Sequence, residues 1–235
     1  MSYEYDMDDP LVYRNEMGRY KTERQLLFLR KFLPRNGMKV LDIGGGGGRL
    51  AIPLANLGHR VTVIDPSMEA LDLLTRRAGH EIEVIHSDIM GLLCSERFDV
   101  AMTIDMLKYV TAVSLSDIFS KVNSILLMGG TLLISEINKN SWRSHLSELL
   151  GRRRQRYNIE SPAGYKNALR QAGFEIESIT GFSWMPFRFN SNSPLIGLFR
   201  GMEETLHLGD WIGQSPWLLI AAKKTDENQT MPGER

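Results

Sequence analysis

Three carboxylates recur in the first half of this 235-residue chain, each at the end of an apolar run. Val40-Leu41-Asp42-Ile43 breaks into consecutive glycines, Gly44 to Gly48; Val61-Thr62-Val63-Ile64 runs into Asp65-Pro66-Ser67; Ile82-Glu83-Val84-Ile85-His86 runs into Ser87-Asp88-Ile89. Glycine takes positive φ freely and lets a ligand approach the main chain with no Cβ in the way. One carboxylate accepts two hydrogen bonds from vicinal ribose hydroxyls and a second accepts from an exocyclic amine, so this spacing suits a nucleoside-containing ligand. Taken singly, Asp65 and Asp88 are ordinary turn or helix-cap residues, and a glycine run is ordinary linker material. A linker is not framed by a buried-strand pattern and a helix, and the three acids fall in register with the glycine loop.

The elements that must position these side chains are strands whose carboxyl ends share one edge, because ligands of open α/β sheets bind there. Leu50-Ala51-Ile52-Pro53-Leu54-Ala55 reads as a helix whose N-terminal amides face the glycine loop. Arg19 to Leu33 puts Leu26, Leu29 and Leu33 on one helical face and stops at Pro34 and Gly37. Ser67 to Arg77, Ser114 to Leu126 and Pro162 to Ala172 read as further helices, the second opened by Ser114 with Asp117 three residues on, the third by Ser161. Strands alternating with helices predict a parallel sheet.

Composition narrows the function. Lys and Arg number 28, as do Asp and Glu, so no overall field draws the chain to nucleic acid or an anionic membrane. Cys94 is the single cysteine and cannot close an internal disulfide. No apolar run is long enough to cross a bilayer, and the acidic start Met1-Ser2-Tyr3-Glu4-Tyr5-Asp6 lacks the pattern of a signal peptide, so the expected location is the cytoplasm.

With these residues in place, the chain resembles the class I (Rossmann-like) methyltransferases that use S-adenosylmethionine. The family's first motif, an acid followed by alternating glycines, is matched by Asp42, Gly44, Gly46 and Gly48; the acid after the second strand by Asp65, with Met68 at the position that packs on adenine; the acid after the third strand by Asp88, with Ile89 beside it. Phe98-Asp99-Val100 matches the start of the fourth strand, which carries Ile104. The run from Leu126 to Ile134 matches the turn into the fifth, and Ala172-Gly173-Phe174 leads into the sixth. The match covers about Leu26 to Ala222. It implies a doubly wound, mostly parallel sheet of about seven strands with an antiparallel last strand under a helical and aromatic lid. It also implies S-adenosyl-L-methionine as the cofactor, bound by Asp42, Gly44, Gly46, Gly48, Asp65, Met68, Asp88, Ile89 and Ile104. A nicotinamide-dependent dehydrogenase fits less well, since its fingerprint wants glycine where Arg49 stands and needs no acid at Asp42.

The expected organisation is one domain over 1–222: an N-terminal cap and helix to 33, a cofactor-binding half over 34–135, acceptor-binding insertions over 136–215, and a disordered tail over 223–235. Between Asn138 and Gln214, Trp142, Tyr157, Tyr165, Phe182, Trp184, Phe187, Phe189, Phe199 and Trp211 interrupt polar sequence, and Leu195, Leu198, Phe199, Met202 and Leu206 recur at helical spacing. This segment is either local core or an acceptor pocket. A sulfonium is already a good leaving group, so the protein must hold the nucleophile in line and exclude water. A base is needed only for an acceptor that loses a proton, and the candidates are Asp105, Glu136, Tyr109, His145 and His207. After the fourth strand, Thr103-Ile104-Asp105-Met106-Leu107-Lys108-Tyr109 lacks the Asn-Pro-Pro-Tyr motif used on DNA bases, and no acid cluster suggests a metal. The expected reaction is metal-independent methyl transfer to an O, N or C atom of a small organic acceptor by a monomer or homodimer. Two alternatives stay open: a cofactor-binding regulatory or partner subunit, and an RNA modifier using Arg152, Arg153, Arg154 and Arg156.

Overall fold

The strand β1 (Lys39–Ile43) lies third in a seven-stranded sheet, with β2 (Arg60–Asp65) and β3 (Glu83–His86) on one side and β4 (Phe98–Ile104) and β5 (Leu126–Ile137) first among the strands on the other. A computed structural model describes residues 15–79, 81–151 and 158–225. The order is β3-β2-β1-β4-β5-β7-β6, all parallel except β7 (Trp217–Lys224), which runs antiparallel between β5 and β6 (Phe174–Phe182). The chain reverses its direction of winding between β1 and β4, which opens a crevice there at the C-terminal rim.

Helices cover both faces. On one side α1 (Glu16–Lys31), α2 (Ala51–Asn56) and α3 (Met68–Ala78) bury Leu29, Leu54 and Leu74 against Val40, Val63 and Met102. On the other, α4 (Leu115–Ile125) and α6 (Pro162–Gln171) bury Ile118, Phe119, Tyr165 and Leu169 against Leu41, Ala101 and Ile220. Ser67, Ser114 and Ser161 cap α3, α4 and α6 as their spacing predicts, each side chain accepting a backbone N–H. The first helix starts three residues before the expected Arg19 because Asn15 caps it, its Oδ1 accepting Gly18 N–H at 2.8 Å.

Three expectations are corrected. Lys223 and Lys224, assigned to a disordered tail, continue β7 and pair with β5 and β6. The stretch 136–215, read as insertions, contains α6 and β6, which belong to the sandwich. Its lid elements are α5 (Trp142–Leu149), the connection after Phe182 and α7 (Ile196–Thr205). The apolar stripe read on the last of these faces solvent, with Leu195, Leu198, Met202 and Leu206 exposed, while the helix turns Ile196, Phe199 and Glu203 inward. A glutamate with fixed partners inside outweighs the apolar pattern outside.

Candidate functional site

The loop after β1 is held from below by acids. Asp65, buried as the last residue of β2, accepts Gly46 N–H through Oδ2 at 3.0 Å and Ser67 N–H through Oδ1 at 2.8 Å. One carboxylate thus fixes the glycine turn and the start of α3. Asp42 lies under the loop: a Cβ on Gly45 would stand 2.6 Å from its Oδ2 and 2.8 Å from Val63 Cγ1. Burial raises the Asp42 carboxyl to about 7, with Arg49 opposing and Asp65 adding to the rise. Gly44 has φ +72, and a Cβ there would collide with Met106 Cγ, so the Met106 side chain after β4 packs directly on the bare Gly44 backbone.

Asp105 stands across that crevice at φ 65, fully buried, and four side chains converge on it. Lys21 Nζ donates to Oδ1 at 2.8 Å, Gln25 Nε2 and Arg49 Nη2 donate to Oδ2 at 3.1 and 3.2 Å, and Lys108 Nζ donates to the Asp105 carbonyl. Gln25 extends the network by donating to Ser135 Oγ at 2.8 Å and accepting Arg49 Nη1 at 2.8 Å; Thr22 Oγ1 accepts the same Arg49 nitrogen at 3.0 Å. Burial alone would raise Asp105, but Lys21, Lys108 and Arg49 outweigh it and hold the carboxyl at about 2. Lys21 is lowered to about 7 by burial, with Lys108 and Arg49 adding to the fall and Asp105 opposing it. Its ammonium sits 3.2 Å from the Trp217 ring centroid and 4.9 Å from that of Phe189.

The remaining sequence candidates fall in different places. Met68 is exposed at the first position of α3, Asp88 is exposed with Oδ1 accepting Gly91 N–H at 2.7 Å, and Ile89 is buried in the core beside β4. Ile104 packs into the opposite core at the end of β4. Glu136 is fully buried on β5 and accepts Lys108 N–H at 3.3 Å; burial raises its carboxyl against the pull of Lys108. Tyr109 is half-buried in the 3-10 turn Leu107–Tyr109, with the Lys108 ammonium 4.9 Å from its ring. His145 and His207 are both exposed and join neither network. Arg152, Arg153, Arg154, Arg156 and Tyr157 lie outside the described residues. Among the described residues, no group of three or more His, Cys, Asp or Glu side chains is placed to hold a metal ion, and no helix is long and apolar enough to cross a membrane.

The sequence model of the family described as "Methyltransferase domain" matches residues 13–179 of this chain. The chain belongs to the methyltransferase-domain family. This bears out the expectation, drawn from its motifs, of a class I S-adenosylmethionine-dependent methyltransferase. A ubiquinone biosynthesis O-methyltransferase of Bradyrhizobium sp. (strain ORS 278) is 31% identical over 119 residues, 49% of this chain and 46% of that protein. Another bearing the same name, from Xylella fastidiosa (strain 9a5c), is 28% identical over 178 residues, 70% of this chain and 72% of that protein. In fold the methyltransferase is similar to the magnesium protoporphyrin IX methyltransferase of Synechocystis PCC 6803, solved with S-adenosylhomocysteine. The TM-score is 0.65 at 19% identity, covering 89% of this chain and 84% of that one.

The methyltransferase closes its C-terminal rim with a second buried hub that sequence reading missed. Glu203, 3% exposed on α7, accepts Tyr20 Oη–H at 2.7 Å, Ser183 N–H at 3.2 Å and Trp184 N–H at 3.4 Å. The Tyr20 ring lies tilted against Phe182 at 6.5 Å, and Phe182 tilted against Trp217 at 6.3 Å, joining the two hubs through aromatic rings. A signal for the Asp105 hub exists in α1. Met17, Lys21, Gln25 and Leu29 recur every fourth residue and all are buried, so two polar side chains stand in an apolar stripe, where burial requires partners. A cleft of about 390 Å³ between Lys31, Arg35, Asp99, Met128 and Glu177 opens on the opposite rim, away from both hubs.

Proposed function

We propose that this methyltransferase transfers the methyl group of S-adenosylmethionine to an oxygen of a small organic acceptor, by an in-line displacement that uses no metal. The observation that carries the reading is the packing of Met106 on the glycine loop and the bond from Arg49, just after that loop, to Asp105 across the crevice between β1 and β4, with the Trp217 and Phe189 rings against Lys21 of the same hub. The relatives named as O-methyltransferases support oxygen as the atom methylated. When bound, the cofactor supplies an electrophilic methyl group on a sulfonium that leaves as a neutral thioether.

The residues present fit it. The Gly44 position has no room for a side chain, and Gly46 and Gly48 also take positive φ, so backbone rather than side chains faces the ligand. On this reading Asp42 and Asp65 set the loop, Asp65 meets the ribose, and Met68, Asp88 and Ile89 border the adenine with Ile104 behind. Asp105 is held too low to take a proton at neutral pH and instead orients Lys21 and Arg49; Glu136, raised by burial, accepts the Lys108 and Ile137 N–H groups and holds the turn after β4 against β5. The exposed histidines take no part. The enzyme works in the cytoplasm on a small-molecule acceptor, not on nucleic acid, as a monomer or homodimer.

Calorimetry with S-adenosylhomocysteine and with NAD, followed by mass spectrometry of hydroxylated aromatic acceptors incubated with S-adenosylmethionine, tests this. Micromolar binding of the adenosyl thioether, much weaker NAD binding and a one-methyl mass increment are expected. Tight NAD binding without the thioether rejects the reading.

A further inference from the structure

The lid buries polar atoms that the fold leaves unanswered. Ser183, 1% exposed, takes φ 68, a left-handed conformation that persists in a serine only where its surroundings over-determine it. Here they do: the Ser183 N–H is pinned between Glu203 Oε1 at 3.2 Å and Tyr20 Oη at 3.1 Å, and the Trp184 N–H is held by Glu203 Oε2. The Arg24 guanidinium reaches the same carboxylate, 4.0 Å from Glu203 Oε1, so Ser183, Trp184 and Arg24 all border Glu203. All three of Ser183 Oγ, Trp184 Nε1 and Arg24 Nε are buried and meet no hydrogen-bond partner. Orphaned buried polar groups are rare because each one forfeits its hydration.

We propose that Ser183, Trp184 and Arg24 form a subsite on the lid for an oxygen of the acceptor: a carbonyl, a carboxylate or a phenolic oxygen. Two of the three atoms, the indole and guanidinium N–H groups, can only donate, and the serine hydroxyl can donate or accept, so the occupant must bring lone pairs. An ammonium does not fit. Glu203 offers no competing seat, because Tyr20, Ser183 and Trp184 already occupy its two oxygens. Ser183 follows Phe182, whose register partner on β7 is Trp217, and Trp217 carries the Lys21 ammonium of the Asp105 hub. The subsite therefore lies at the same rim of the sheet as the glycine loop, linked to the Asp105 hub through Phe182 and Trp217. The proposal rests on the methyl-transfer reading given above.

The test labels the tryptophans with 5-fluorotryptophan and records the fluorine spectrum of the protein loaded with S-adenosylhomocysteine, the Trp184→Phe variant identifying the Trp184 resonance. Titration with 3,4-dihydroxybenzoate is expected to move that resonance and titration with benzylamine to leave it still. Ser183→Gly keeps the fold, because glycine adopts the positive φ freely, and weakens the dihydroxybenzoate response roughly fivefold through one lost hydrogen bond. A Trp184 resonance unmoved by dihydroxybenzoate overturns the subsite whatever the turnover, and so does an equal response to benzylamine. Loss of the methyl-transfer reading registers separately, as absence of S-adenosylhomocysteine binding in calorimetry.

Discussion

At the scale of single residues, two buried acids on neighbouring strands have different surroundings and carry different tests. Asp65 accepts two backbone N–H groups, one from the glycine loop and one from the start of α3. Asp65→Ala is therefore expected to weaken S-adenosylhomocysteine binding more than tenfold by calorimetry and also to destabilise the fold by about 1–3 kcal/mol, since two N–H groups lose their acceptor. Asp42 is raised to about 7 from an ordinary 3.8. The folded chain keeps this proton where the unfolded chain has released it, so the contribution is complete below about 4 and is lost as pH rises through 7. Asp42→Asn is expected to abolish that part of the decline between pH 4 and 7 in a melting series. An unchanged slope means that Asp42 titrates normally.

At the scale of elements, α1 is the clamp of the site. Its inward face carries Tyr20 to the lid hub and Lys21, Thr22 and Gln25 to the Asp105 hub, tying the lid, the glycine loop and the ends of β4 and β5 to one rigid rod. Gln25→Leu keeps the side-chain volume but withdraws an acceptor from Arg49 and donors from Asp105 and Ser135. A loss of about 2–4 kcal/mol in denaturant unfolding is expected, with the midpoint shifted and the slope unchanged. On the loop, Gly44→Ala forces a Cβ against Met106 at a positive φ, so cofactor affinity is expected to fall at least tenfold. If Gly44→Ala binds normally, the approach of the loop to the segment after β4 is not what shapes the site.

For the whole molecule, the balance of 28 basic against 28 acidic residues leaves no long-range field for a polyanion. Binding through several phosphates releases counterions and falls steeply with salt. Fluorescence anisotropy with a labelled RNA is expected to show no saturable binding at physiological salt. A steep salt-dependent affinity that disappears when Arg152, Arg153, Arg154 and Arg156 are replaced would instead support an RNA acceptor. The charges that matter here are paired internally, at the crevice where the winding of the sheet reverses, and they act over a few ångströms rather than over the surface.

What the sequence determined by itself is what neighbours along the chain decide. The later strands follow from the family resemblance, while apolar runs and helical periods predict the first three strands and helices α1 to α4 and α6, Ser114 and Ser161 predict the openings of α4 and α6, and the glycine run after β1 predicts the loop. Each of these depends on contacts within about one helical turn or on the two-residue period of a strand. The polar hubs obey no such local rule. Lys21 meets Asp105 across 84 residues and Tyr20 meets Glu203 across 183, and only the closed sheet brings them together. The stripe of α7 shows the same limit: periodicity favours Leu198 and Met202 inside, yet the folded chain buries Glu203 because Tyr20, Ser183 and Trp184 are there to satisfy it. A buried charge is stable only with its partners, and tertiary structure alone supplies them.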